Sequence, residues 1–128
     1  MATVLIVEDH PTMREAMRLV LEEDGHDVEE AVDGENGIAL VREHAPDVVL
    51  LDLNIPVVSG SEVLEVLRSD PTTAGVLVVI VTATGEEGRK RAIALGADDY
   101  ITKPFSPLAL LRTVERVLRG SGKKGSSP

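Results

Sequence analysis

The 128-residue chain is expected to fold as one doubly wound α/β domain with a parallel five-stranded sheet and five helices. Three observations predict this. Short apolar runs alternate with longer amphipathic stretches five times along the chain. Runs such as Val48-Val49-Leu50-Leu51 and Val76 to Val81 are apolar without alternation, as in strands covered by helices on both faces. Polar residues of chemical interest follow these runs, at the edge where open parallel sheets bind ligands.

The elements follow in order. Thr3–Val7 is an aliphatic, β-branched strand, and Pro11 suits the first position of a helix. Met13, Ala16, Met17, Val20 and Leu21 mark one face of that helix at 3.6 spacing, and Gly25 offers its stop. Val28–Val32 is a shorter strand, followed by a helix over Glu35–His44. The third strand is Asp47–Leu51 and its helix is Ser61–Arg68. The fourth strand is Val76–Val81, with a helix over Glu86–Leu95. Asp99–Thr102 is the fifth strand, and Leu108, Leu111, Val114 and Leu118 stripe a final helix over Ser106–Arg119. Right-handed crossovers place helices on both faces of the sheet. The domain spans residues 1–119. Residues 120–128 (GSGKKGSSP) hold no apolar side chain and are expected to form a disordered tail or linker stub.

Composition narrows the function. Hydrophobic residues make up 43% of the chain, yet Tyr100 and Phe105 are the only aromatic residues, so the core is aliphatic. With no cysteine, disulfides, thiolate metal sites and Cys nucleophiles are excluded. A net charge of −9 argues against binding nucleic acid, whose phosphates demand a basic surface. No apolar run reaches the roughly 18 residues of a membrane span, and the N-terminus lacks a leader pattern, so the expected location is the cytoplasm.

The chemistry converges at the strand ends. Glu8 and Asp9 follow the first strand, Asp52 the third, Thr82 closes the fourth, and Lys103-Pro104 follows the fifth. Clustered carboxylates repel one another and persist most cheaply around a cation. An all-oxygen set suits Mg²⁺, which keeps several waters and accepts phosphate oxygens. A lysine and a hydroxyl beside it would stabilise a transferring phosphoryl group, with one carboxylate as nucleophile. Taken singly, each residue has a plainer reading: a capping Asp, a strand Thr, a loop Lys. Asp98 and Asp99 read as surface or capping charges, His10 as a solvent-facing helix-entry residue, and His26 and His44 as surface residues. The weight lies in the convergence.

With those residues in view, the chain resembles the receiver domain of bacterial response regulators. The resemblance is carried by VLIVEDHPTMR, DVVLLDLNIPVVSG, VIVTA and GADDYITKPF, and covers residues 3–119. Asp52 to Thr82 is 30 residues and Thr82 to Lys103 is 21, as in that family. The resemblance implies a flavodoxin-like sheet in the order 2-1-3-4-5. It implies that Asp52 is the phosphoacceptor, and that Glu8, Asp9, Asp52 and the backbone carbonyl of Asn54 hold Mg²⁺, with Mn²⁺ as an alternative. Glu8 stands where aspartate is also common, and its longer arm is expected to reach the metal through water. Thr82 and Tyr100 would be the switch pair, Lys103 the phosphoryl-binding lysine, and Lys103-Pro104 a cis peptide. The donor would be a histidine kinase or a histidine phosphotransfer protein. Output would pass to a downstream protein or a second copy, through the face of the fourth helix, fifth strand and fifth helix, where Arg89, Lys90, Arg91 and Arg112 gather. Apart from self-catalysed phosphorylation and dephosphorylation, the domain would be no enzyme.

Three other readings compete. A dinucleotide site needs a glycine-rich turn after the first strand, where Glu8-Asp9-His10-Pro11 stands instead. A phosphatase with an Asp nucleophile of the haloacid dehalogenase type wants a second acid two positions on, where Asn54 stands. A degenerate receiver, binding partners without phosphorylation, would lack part of the acidic and lysine set, and none is missing.

Overall fold

The computed structural model describes residues 2–83 and 85–125. Its elements alternate as β1 (Thr3–Val7), α1 (Pro11–Glu23), β2 (Asp27–Ala31), α2 (Gly34–His44), β3 (Val48–Asp52), α3 (Gly60–Ser69), β4 (Leu77–Thr82), α4 (Gly85–Leu95), β5 (Asp99–Thr102) and α5 (Pro107–Gly125). All strand pairs are parallel and the sheet order is β2-β1-β3-β4-β5, as the resemblance implied.

The unalternating apolar runs are explained by the two faces of the sheet. Leu5, Val7, Val49, Leu51, Val78 and Ile80 pack on one side, with Val41 of α2, Val63, Leu64 and Leu67 of α3 and Ala92 of α4. Val4, Ile6, Val48, Leu50, Val79 and Val81 pack on the other, with Met17 and Leu21 of α1 and Leu110, Val114 and Val117 of α5. Each fully buried leucine contributes about 2 kcal/mol by leaving water. Because successive side chains point to opposite faces, every residue of the central strands is core. Only their last residues are free for chemistry.

Several boundaries move by one residue, and the caps account for the helix starts. Asp33 accepts from the Asn36 amide at 2.8 Å, so α2 begins at Gly34. Ser59 and Glu62 form a reciprocal capping box that begins α3 at Gly60. Ser106 Oγ accepts from the Ala109 amide at 3.0 Å, which leaves Pro107 in the first turn of α5. Gly25 closes α1 in the left-handed region, φ 91°, where other residues are strained. β3 and β4 each end one residue later than the apolar run, so Asp52 and Thr82 are the last residues of their strands.

One expectation needs correction. His26 is buried, not on the surface: the turn after α1 tucks it under the start of β1, where its Nδ1 accepts from the Ala2 amide at 3.2 Å. Arg91 keeps its exposed charge, and its guanidinium also donates to Ser61 Oγ on α3 at 3.1 Å. α5 runs past Arg119 into the segment expected to be a tail. Val114 and Val117 anchor it, and a formed helix adds residues one hydrogen bond at a time. Residues 126–128 of that segment lie outside the described residues.

Candidate functional site

The pairing register brings the strand ends together. Val7 lies opposite Leu51, Asp52 opposite Val81, and Thr82 opposite Thr102. The residues that follow therefore meet at one edge. Lys103 Nζ lies 2.6 Å from Asp52 Oδ2 and 3.4 Å from Glu8 Oε1. The Asn54 amide donates to Asp52 Oδ1 at 2.8 Å, a local turn that holds the carboxylate from below. The Lys103 amide donates to the Thr82 carbonyl at 2.7 Å, which fixes where the lysine leaves the sheet. The Lys103-Pro104 peptide is cis, as the resemblance implied.

Burial makes this cluster expensive. Glu8 is 1% exposed and Asp52 3%. Burial pushes the Glu8 carboxyl above its ordinary range, and the adjoining Asp52 carboxylate raises it further, against the His10 amide and the Lys103 ammonium. Burial works against the charge of Lys103 too, but Asp52 and Glu8 outweigh it and hold that ammonium above its usual value. One lysine thus faces two buried carboxylates, with Asp9 adjoining Glu8 in the chain. Glu8 Oε1 and Asp9 Oδ1 are buried without a hydrogen-bond donor. Orphaned carboxylate oxygens of this kind fit a bound hard cation, which neutralises them without needing a hydrogen.

The structure also gathers a residue that sequence reasoning set aside. His10 Nδ1 lies 3.5 Å from both Glu8 Oε2 and Asp9 Oδ1, and these three ligand atoms lie within 4.8 Å of one another. Its imidazole is still mostly solvent-exposed, since it precedes α1 at the rim. Tyr100 stands apart from the charged cluster, half-buried against the α2–α3–α4 side of the core. Asp98 and Asp99 are structural: Asp98 pairs with Arg68 and the Val78 amide, and Asp99 pairs with Arg116.

Two glycines with no chemistry of their own were missed. A Cβ at Gly60 would come within 2.5 Å of the Asp52 carbonyl oxygen, so only glycine lets α3 begin directly beneath the phosphoacceptor candidate. A Cβ at Gly88 would press on Thr82. The available signal was a glycine inside a helical pattern, where it weakens the helix and implies close packing.

Comparison with known proteins agrees with this arrangement. The model of the response regulator receiver domain matches residues 4–115. The phosphate regulon transcriptional regulatory protein PhoB of Pseudomonas aeruginosa is 40% identical over 121 residues, which cover 94% of this chain and 53% of that protein. The chain thus spans about half the length of the phosphate regulon regulators it matches. Protein PilH of the same organism is 39% identical over 125 residues, covering 94% of this chain and 100% of PilH. The solved structure of the chemotaxis response regulator CheY4 of Vibrio cholerae aligns with a TM-score of 0.87 at 33% identity, over 92% of this chain and 99% of that one. Motif order, edge geometry and these matches lead to one assignment, and the chain belongs to the response regulator receiver domain family of two-component signalling.

Proposed function

We propose that this domain accepts a phosphoryl group on Asp52 from a histidine kinase or a histidine phosphotransfer protein. The observation that carries the reading is the 2.6 Å contact of Lys103 with a buried Asp52, beside the buried and under-partnered Glu8. A carboxylate oxygen of Asp52 forms a bond to phosphorus as the bond from phosphorus to the donor's leaving atom breaks. Lys103 holds the Asp52 carboxylate beforehand and then attracts the phosphoryl oxygens. The Asn54 amide keeps the other Asp52 oxygen in place, and Thr82 offers a hydroxyl to the transferred group. Glu8, Asp9, Asp52 and the carbonyl of Asn54 would hold Mg²⁺, or Mn²⁺ in its stead. When bound, the ion supplies positive charge that screens the carboxylates from the incoming phosphate.

The domain acts as a signalling phosphoacceptor rather than an enzyme with its own substrate turnover. Output passes through Thr82 and Tyr100 to the face of α4, β5 and α5, and from there to a downstream protein or a second copy. On that face Lys90 and Arg112 are exposed, and Arg89 is paired within its helix to Glu86 at 3.1 Å. A domain this acidic offers nucleic acid no surface of its own. Among the described residues no helix is long and apolar enough to cross a membrane, which is compatible with the cytoplasm.

Incubation with a small phosphodonor and Mg²⁺ is expected to add one acid-stable, base-labile phosphoryl group by intact mass. Excess chelator or Asp52→Ala should abolish it. A label that persists in Asp52→Ala would sink the reading.

A further inference from the structure

Gly88 lies in the second turn of α4 and is buried, although the helix around it is largely exposed. Its φ is not in the left-handed region, so no turn requires glycine there. Glycine is also a poor choice inside a helix, since it gives up backbone freedom that alanine does not have. The steric surroundings explain it. A Cβ at position 88 would lie 2.6 Å from Thr82 Cγ2, 2.7 Å from Thr82 Oγ1 and 3.2 Å from Thr82 Cβ. Non-bonded carbons do not approach that closely. Thr82, the last residue of β4 and 4% exposed, therefore rests directly on the backbone of α4, with both γ atoms in the space that a side chain would fill.

We propose that Gly88 is a positioning residue: it is the seat of the Thr82 side chain at rest, through which α4 senses where that side chain stands. The inference rests on the phosphoacceptor reading above and extends it to the step after phosphorylation. While Oγ1 and Cγ2 occupy the seat, α4 is held off the end of β4 by a threonine. When the hydroxyl turns to a phosphoryl group on Asp52, one of the two γ positions in the seat empties and α4 settles toward it. This gives a two-arrangement element that the phosphoryl group biases. A methyl group at position 88 fills the seat permanently. Thr82 must then turn its hydrogen toward α4, or α4 must lift away, and either change breaks the resting arrangement without any phosphoryl group.

The test is a four-way comparison of wild type, Gly88→Ala, Thr82→Ala and the double variant, all as the full chain. Amide NMR spectra are recorded for α4 and β5 before and after a small phosphodonor with Mg²⁺, and melting temperatures are measured alongside. Unphosphorylated Gly88→Ala is expected to shift its α4 and β5 signals away from wild type, with the largest shifts around Thr82 and Gly88. In the Thr82→Ala background both γ atoms are gone and only the 3.2 Å approach to the Cβ remains, so the same substitution should move the spectrum and the melting temperature far less. A merely structural glycine would not make the spectral effect depend on Thr82. The inference is overturned if Gly88→Ala overlays unphosphorylated wild type, or if its shifts are as large in the Thr82→Ala background. Should Gly88→Ala fail to fold, a folded double variant supports the seat, and an unfolded one overturns it. Failure of the phosphoacceptor reading shows separately, as a wild type that takes no label while the 82–88 dependence in spectra and melting is still present.

Discussion

At the amino-terminal edge of the sheet, Arg68 donates to the carbonyl oxygens of Gly96 at 3.1 Å, Ala74 at 2.9 Å and Val76 at 2.6 Å. It also donates to Asp98 Oδ2 at 2.9 Å, which accepts in addition from the Val78 amide at 2.8 Å. At the carboxyl-terminal edge, Lys103 stands between Glu8 and Asp52, and one buried oxygen each of Glu8 and Asp9 makes no hydrogen bond. Both are knots of charge at strand ends, and they differ in whether the polar atoms are satisfied. The closed knot ties the turn after α3 and the turn after α4 to β4, which is a structural task. The open one carries acidic groups into a buried place, an arrangement that fits a bound cation. A cleft of about 600 Å³ opens beside Arg68, at the edge away from Asp52.

Breaking the closed knot should have the largest effect on stability. Arg68→Met leaves three carbonyl oxygens without this donor and Asp98 with the Val78 amide alone, and should cost about 3 kcal/mol in denaturant unfolding. Asp52 should still take its label at the wild-type rate. Loss of labelling in a folded Arg68→Met protein would mean that the two edges are coupled.

Opening the other knot works in reverse. Asp9→Asn removes one of the repelling charges, so it should leave the metal-free fold as stable or more so. Its Mg²⁺ affinity should fall about tenfold, equal to about 1.4 kcal/mol, measured by calorimetry because the chain has no tryptophan. Unchanged affinity would remove Asp9 from the site.

Strain sharpens the contrast. Val57, exposed in the loop between β3 and α3, is held at φ 72°, a region costly for a β-branched residue. Val57→Gly should gain about 1 kcal/mol in unfolding free energy. An unchanged labelling rate would mark the strain as incidental, and a changed one would make it part of the open edge.

The smallest effect expected is a pH dependence at Glu8. Its folded pKa is raised, chiefly by burial, so the stability it contributes is present below its unfolded pKa and is lost as pH rises through the folded value. Glu8→Gln, which resembles the protonated form, should therefore raise the metal-free melting temperature more at roughly pH 7.5 than at roughly pH 4.5. An equal gain at both would show that Glu8 carries no charge penalty in the fold.

Much of this was legible in the sequence because strand ends and chemistry coincide. β1 and β5 fall where their apolar runs do, and the five strand-end residues are named by position alone. Helix starts were read late because Asp33 and Ser59 act through side chains that bond forward to the first turn. His26, Gly60 and Gly88 were misread or missed for a common reason. Their roles depend on partners in other elements (Ala2, Asp52 and Thr82), and no local pattern reports such a contact. His10 was set aside as solvent-facing; its approach to the two acids depends on how the chain turns into α1, which periodicity does not encode.

The most direct test of the account is an amide NMR titration of the unmodified chain with Mg²⁺. The account predicts shifts at Glu8, Asp9 and His10, at Asp52 to Asn54 and around Lys103, with Arg68, Asp98 and Val78 unmoved. Shifts centred on the Arg68 edge, or none at the Asp52 edge, would contradict it.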